Sequence, residues 1–193
     1  ILARLIAQRQ PVIMLTPHFL GLDLGGTRLA ASFDCVSIYA RQRDPVIDHW
    51  LFHGRSRFGS QVLLRRDESV RASIKAMKEM RPFYYLPDMD NGIEDSIFSP
   101  FFGVQAATLS ALPRLTRLGG AVVVTCVTRM LPGGQGYVVT LSEPWTDFPS
   151  GDVEADVHRM NAAIEDLVRT MPAQYYWVHR RFKTRPEGEA KVY

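Results

Sequence analysis

Apolar and polar positions alternate along this chain with two different periods. Val12-Ile13-Met14-Leu15 is an unbroken apolar run between Pro11 and Thr16-Pro17, which suits a strand buried on both faces. Val36 to Ala40 and Phe83-Tyr84-Tyr85-Leu86 read the same way, the latter stopping at Pro87. Residues 121–128 form the strongest strand signal. A Pro-Gly-Gly turn at 132–134 then leads into 137–141, so these two runs predict a hairpin. A helical period governs other stretches. Ile1, Leu2, Leu5 and Ile6 make one stripe, and residues 1–9 read as the end of a helix. Residues 20–33 predict a helix weakened by Gly21, Gly25 and Gly26, and residues 45–58 one opened by Pro45. Asp67 suits the N-cap of a helix carrying Val70, Ile74, Met77 and Met80 on one face. Residues 105–118 predict a helix ended by Gly119-Gly120. Val153, Val157, Met160, Ile164, Leu167, Val168 and Met171 keep a 3.6-residue period over 152–171, and Gln174 to Phe182 reads as a second, short helical piece. Strands alternate with helices before the hairpin, which predicts an α/β domain with a mixed central sheet flanked by helices.

Composition narrows the class. With 193 residues, 46% of them hydrophobic and 22% charged, the chain forms one domain with a real core and is not disordered. The net charge of +3 favours acidic partners only mildly, and no nucleic-acid-binding module pattern is present. Cys35 and Cys126 stand far apart in apolar company and read as buried free thiols of a reducing compartment. No window approaches a membrane span, and no signal peptide is visible. The chain opens Ile-Leu-Ala directly in a helical pattern, which reads as a trimmed chain.

The candidate chemistry starts at His18-Phe-Leu-Gly-Leu-Asp23. Five residues turn a regular helix by about 500°, leaving these side chains roughly 140° apart. A strand-end-to-helix junction brings them closer. His18 then stands just past the first strand and Asp23 in the first turn of the next helix, where a carboxylate is favoured. A carboxylate on one imidazole nitrogen leaves the other free as a general base. The plainer alternative is a capping histidine beside a surface ion pair. No Ser or Cys adjoins His18, so the proton would come from a substrate hydroxyl and not from a nucleophile of the protein.

The histidine–four residues–acid spacing resembles that of glycerolipid acyltransferases. The chain as a whole resembles the late acyltransferases of bacterial lipid A biosynthesis, the lauroyl/myristoyl type. Four further stretches carry the likeness: Gly54-Arg55-Ser56-Arg57, Tyr85-Leu86-Pro87-Asp88-Met89-Asp90, Phe98-Ser99-Pro100-Phe101-Phe102-Gly103-Val104, and the tail from Tyr176 to Gly188. It spans essentially the whole chain. The acid is Asp here, where that subgroup often has Glu. The resemblance implies a single acyltransferase domain of glycerol-phosphate-acyltransferase-like fold, lacking the family's N-terminal membrane anchor.

It further implies acyl transfer from an acyl carrier protein thioester to a hydroxyl on a hydroxyacyl chain of a lipid A precursor. The place of reaction would be the cytoplasmic face of the bacterial inner membrane, with the thioester as co-substrate and neither cofactor nor metal. His18 is then the general base and Asp23 its orienting carboxylate. Arg55 holds the oxyanion or an acceptor phosphate, with Arg57 a second cation. Asp88 positions an arginine or the acceptor sugar, and Asp90 accompanies it. Phe98, Phe101 and Phe102 line an acyl slot with Val104. Tail residues His179, Arg180, Arg181, Lys183 and Arg185 meet lipid headgroups or the carrier protein, beside Tyr175, Tyr176 and Trp177 at an interface. Two other readings remain: a glycerolipid or lysophospholipid acyltransferase, and a non-catalytic lipid-binding module.

Overall fold

The computed structural model describes residues 1–65 and 70–193. The proposed cap Asp67 lies outside the described residues. Six strands form the main sheet: β1 (Val12–Leu15), β2 (Val36–Tyr39), β3 (Val62–Arg65), β4 (Phe83–Tyr85), β7 (Val122–Met130) and β8 (Tyr137–Leu141). Their order is β3-β2-β4-β1-β7-β8. All neighbours run parallel except β8, which returns antiparallel along β7 as the predicted hairpin. The mixed sheet flanked by helices is therefore the observed architecture.

Alternation along the central strands sorts the core into two layers. Ile13, Leu15, Phe83, Tyr85 and Val123 point to one face, where they meet α4 (Val70–Lys78), α5 (Ala111–Gly119) and α6 (Val153–Thr170) through Met77, Leu112, Met160 and Ile164. Val12, Met14, Tyr84, Val124 and Cys126 point to the other. There α1 (Leu2–Ala7) contributes Leu2 and Leu5, and α2 (Leu22–Ala30) contributes Leu29. Both cysteines are buried and free. Asp152 caps α6 by accepting from the amides of Glu154 and Ala155, which fixes the start of the longest helix.

Three elements differ from the sequence reading. β3 was not anticipated; it is a short edge strand beside β2. Residues 105–118 are not one helix. Val104–Leu109 is strand β6, paired antiparallel with β5 (Ser96–Phe101), and α5 begins only at Ala111. Phe102 and Gly103 turn this hairpin with φ of 50° and 75°, the left-handed pair of a tight two-residue turn. Phe102 is held there because Glu165 accepts its amide at 2.8 Å and the Arg169 guanidinium lies 5.1 Å over its ring. Finally, the segment from Gln174 to Phe182 is not one helical piece: it is an irregular strap with a 3-10 turn ending at Gln174 and another at 177–179.

Close packing of α2 on the sheet sets its position. A Cβ at Gly25 would lie 1.9 Å from Thr128 Oγ1 on β7, and one at Gly21 would lie 2.8 Å from Thr128 Cγ2. Glycine at these positions lets the helix approach β7. The glycines that weaken α2 as an isolated helix therefore place it, and with it Asp23 in its first turn. α3 (Pro45–Ser56), capped by Asp44, lies beside it and carries Arg55.

Candidate active site

β1 and β4 are parallel neighbours in the register Ile13↔Phe83, Met14↔Tyr84, Leu15↔Tyr85. The ladder continues one step, with Thr16 N–H donating to the Tyr85 carbonyl at 2.8 Å. Each strand then continues with one residue, a proline and a titratable residue: Thr16-Pro17-His18 and Leu86-Pro87-Asp88. A common register carried through like loops puts His18 and Asp88 side by side at the carboxyl ends of the strands, where sites in open α/β sheets form.

The pairing is close. His18 Nδ1 lies 2.6 Å from Asp88 Oδ1, and the His18 amide donates to Asp88 Oδ2 at 2.8 Å. The Tyr175 hydroxyl donates to the same Oδ2 at 3.0 Å. The Asp88 side chain is fully buried, while His18 keeps 18% of its surface and lines an open cleft of about 1140 Å³. Burial pushes the Asp88 carboxyl up, but the hydrogen bonds and charge of His18 outweigh it and hold it below the ordinary carboxylate value. With Nδ1 committed to Asp88, Nε2 is the free nitrogen of the ring.

This corrects the assignment of Asp23. Its carboxylate does not reach His18. Oδ1 instead accepts from Arg55 Nε at 3.0 Å and Nη2 at 2.8 Å. The reason is that α2 starts only at Leu22, after Phe19 to Gly21 have carried the chain away from the strand end. Asp23 and Arg55 do line the same cleft as His18, so the ion pair forms part of its wall. Arg57 is turned elsewhere, donating to the Gly54 carbonyl and lying over the Phe58 ring.

Other expected residues also lie away from the cleft. Asp90 binds the tail: it accepts from the Thr184 amide at 2.6 Å, the Thr184 hydroxyl at 2.8 Å and the Gly92 amide at 3.0 Å. Phe101 is fully buried against Tyr175 and Phe182, and Phe102 packs at the hairpin turn against Trp177. Phe98 stands on β5 opposite Ala107, and the cleft lining includes none of the three. The apolar space adjoining the cleft lies instead between α2 and the sheet, lined by Leu22, Leu29, Ile38, Leu63, Tyr84 and Leu86. The basic tail turns inward in part, with Arg180 and Lys183 left exposed. Arg181 is 1% exposed and donates to the Ala107 carbonyl and Thr108 Oγ1, each at 2.7 Å. Lys183 reaches the Asp90 carbonyl, and Arg185 the Gln105 carbonyl.

Tyr175 is the residue of the site that sequence reasoning placed elsewhere, at an interface. It is 2% exposed. Among the described residues no three His, Cys, Asp or Glu side chains converge to hold a metal, and no helix is long and apolar enough to cross a membrane.

The profile of the family described as bacterial lipid A biosynthesis acyltransferase matches residues 1–184. The chain belongs to that family. Its relatives in Escherichia coli (strain K12) include a lipid A biosynthesis lauroyltransferase, 37% identical over 97% of this chain and 61% of the relative. A palmitoleoyltransferase is 31% identical over 100% of this chain and 62% of the relative, and a myristoyltransferase 31% identical over 95% and 57%. The chain thus spans about three fifths of the length of the lipid A acyltransferases it matches.

Proposed function

We propose that this domain transfers a fatty acyl group from an acyl carrier protein thioester to a hydroxyl on a hydroxyacyl chain of a lipid A precursor, at the cytoplasmic face of the inner membrane. The observation that carries this reading is the His18–Asp88 dyad, its outer nitrogen free on the cleft, in a chain of the lipid A acyltransferase family. His18 Nε2 takes the proton of the acceptor hydroxyl as its oxygen attacks the thioester carbonyl. The tetrahedral intermediate collapses with loss of the C–S bond, and the imidazolium returns the proton to the departing thiolate. Asp88 holds the tautomer and stabilises the imidazolium. Such general-base assistance is worth ~10²–10⁴-fold. The acyl thioester is the co-substrate, and the step calls on no resident cofactor.

Arg55, steadied by Asp23, takes the negative charge on the cleft wall: the developing oxyanion or a phosphate of the acceptor. The two nitrogens that bind Asp23 leave Nη1 for that task. The acyl chain occupies the apolar space between α2 and the sheet, where each buried methylene contributes about 0.8 kcal/mol.

The test is acyl transfer by the whole protein from acyl carrier protein to a lipid A precursor, read by mass spectrometry, beside its His18→Ala variant. A loss of at least ~10² is expected. Undiminished transfer by the variant removes His18 from the mechanism. Transfer to glycerol phosphate or lysophospholipid in place of the precursor changes the acceptor class. Lipid binding without turnover on any acceptor makes the domain a binding module.

A further inference from the structure

The strap that follows α6 is built into the site. It pairs with the His18 loop as an added antiparallel segment. Leu20 N–H donates to the Gln174 carbonyl, and Tyr176 N–H donates to the His18 carbonyl, both at 2.8 Å, around a bridge between Phe19 and Tyr175. Tyr175 therefore enters the core directly behind the dyad. Its ring packs edge-on against Phe19 and Trp177, with centroids 5.5 and 4.9 Å away. Its hydroxyl ends on Asp88 Oδ2, at 3.0 Å.

Asp88 thus receives three donors: His18 Nδ1–H on one oxygen, and the His18 amide and Tyr175 hydroxyl on the other. Two of the three come from the residue whose proton affinity it sets. We propose that Tyr175 is a positioning residue of the dyad, whose hydroxyl fixes the Asp88 carboxylate and tunes how strongly it holds the His18 imidazolium. The catalytic meaning of this rests on His18 being the base.

The physical argument concerns where the charge of Asp88 sits. Each donor spreads the carboxylate charge and weakens its pull on the remaining partner. Removing the Tyr175 hydroxyl concentrates that charge, so Asp88 stabilises the imidazolium more and the His18 pKa rises. Burial, and then the nearby Asp88 charge, push the Tyr175 phenol far above its ordinary value, so it remains a donor throughout. Other ionisable groups lie close by. His179, on the same strap, has its ring 6.2 Å from that of His18, and its Nδ1 donates to the Tyr176 carbonyl. Burial holds the His179 imidazole below its ordinary value. Arg181 lies buried behind Tyr175 and its charge bears on both Tyr175 and Asp88. Asp23 and Arg55 face His18 across the cleft. All of these stay in place in Tyr175→Phe, which keeps the ring.

The decisive measurement is an NMR titration of the protein with ¹⁵N-labelled histidine, with the His18 signals assigned by their loss in His18→Ala. Tyr175→Phe is expected to raise the His18 pKa by roughly 0.5–1 unit, about half of what one hydrogen bond to a charged group is worth, because the hydroxyl acts on His18 only through Asp88. 3-Fluorotyrosine at position 175, a stronger donor of nearly the same shape, is expected to lower it. The acid limb of kcat/KM for acyl transfer moves with each, upward in pH for Tyr175→Phe and downward for the fluorotyrosine. A merely structural tyrosine lowers the melting temperature and leaves the His18 titration in place. An unmoved His18 pKa in folded Tyr175→Phe, or a shift of the same sign in both substitutions, overturns the inference. Should Tyr175→Phe not fold, the fluorotyrosine shift alone decides. If His18→Ala keeps full transfer activity while the titrations move as expected, the base assignment falls and the coupling stands.

Discussion

Replacing Asp88 by Asn changes one oxygen to an amide nitrogen at a fully buried position. In one orientation the amide oxygen still accepts from His18 Nδ1–H, but its NH₂ then meets the His18 backbone N–H, donor against donor. In the other orientation NH₂ faces Nδ1 and forces the proton to Nε2, which can no longer act as base. In both, the imidazolium formed during transfer loses its counter-charge. Two unit charges ~4 Å apart at an effective dielectric of ~20 interact by about 4 kcal/mol, which is about 10³ in rate. We therefore expect kcat to fall roughly 10³-fold, with KM altered only a few-fold, because the Asp88 side chain does not reach the cleft surface. The assay is acyl transfer under saturating thioester, with Asp23→Asn in parallel. Asp23→Asn should cost less in kcat, since that carboxylate holds Arg55 and not His18. A kcat for Asp88→Asn within tenfold of wild type, together with a larger loss in Asp23→Asn, would refute the assignment and return Asp23 to the dyad. The same variant has a stability signature. The folded pKa of Asp88 lies below its ordinary value of 3.8, so its contribution is fully present above about that pH and is lost as pH falls through the folded value. Wild type should thus lose unfolding free energy below about pH 3.8 more steeply than Asp88→Asn.

Two other outcomes follow from the packing. Gly25→Ala gains up to about 1 kcal/mol of helix propensity but drives a methyl into Thr128 Oγ1, so a net loss of about 1–2 kcal/mol in urea unfolding is expected. Thr128→Ala should recover part of it, and a stabilised Gly25→Ala would show that α2 does not sit tightly on β7. Burial pushes the thiols of Cys35 and Cys126 up to about 12, so neither should react with a thiol-specific disulfide reagent at pH 8 until the protein unfolds; rapid labelling of the native protein would contradict their burial.

Strongly periodic stretches were legible directly. β1, β4, the β7–β8 hairpin and α6 stand close to where the pattern put them, because each carries its own burial period. The β5–β6 hairpin was misread at Gln105-Ala-Ala-Thr-Leu, whose residues suit a helix; pairing across the Phe102-Gly103 turn overrides that preference. β3 is an edge strand with one buried position in four, whereas every residue of β1 and β4 is buried, so it carries no comparable signal.

For the site, the sequence alone determined the residue types and the family: His18 beside an acid, Arg55 and the Leu-Pro-Asp loop are all legible in order. What it did not determine was which acid meets His18. Reading along the chain favours Asp23, five residues away, whereas the partner is Asp88, seventy residues away. A signal did exist, in the two strands that each end in one residue, a proline and a titratable group. It becomes a contact only when β4 lies next to β1 in parallel register. Strand order is a long-range property, decided by how helices on both faces bury the sheet, and no local pattern encodes it. The tail shows the same limit. Its tyrosines and arginines read as an exposed basic interface, yet tertiary packing turns Arg181 into the core and Tyr175 onto Asp88.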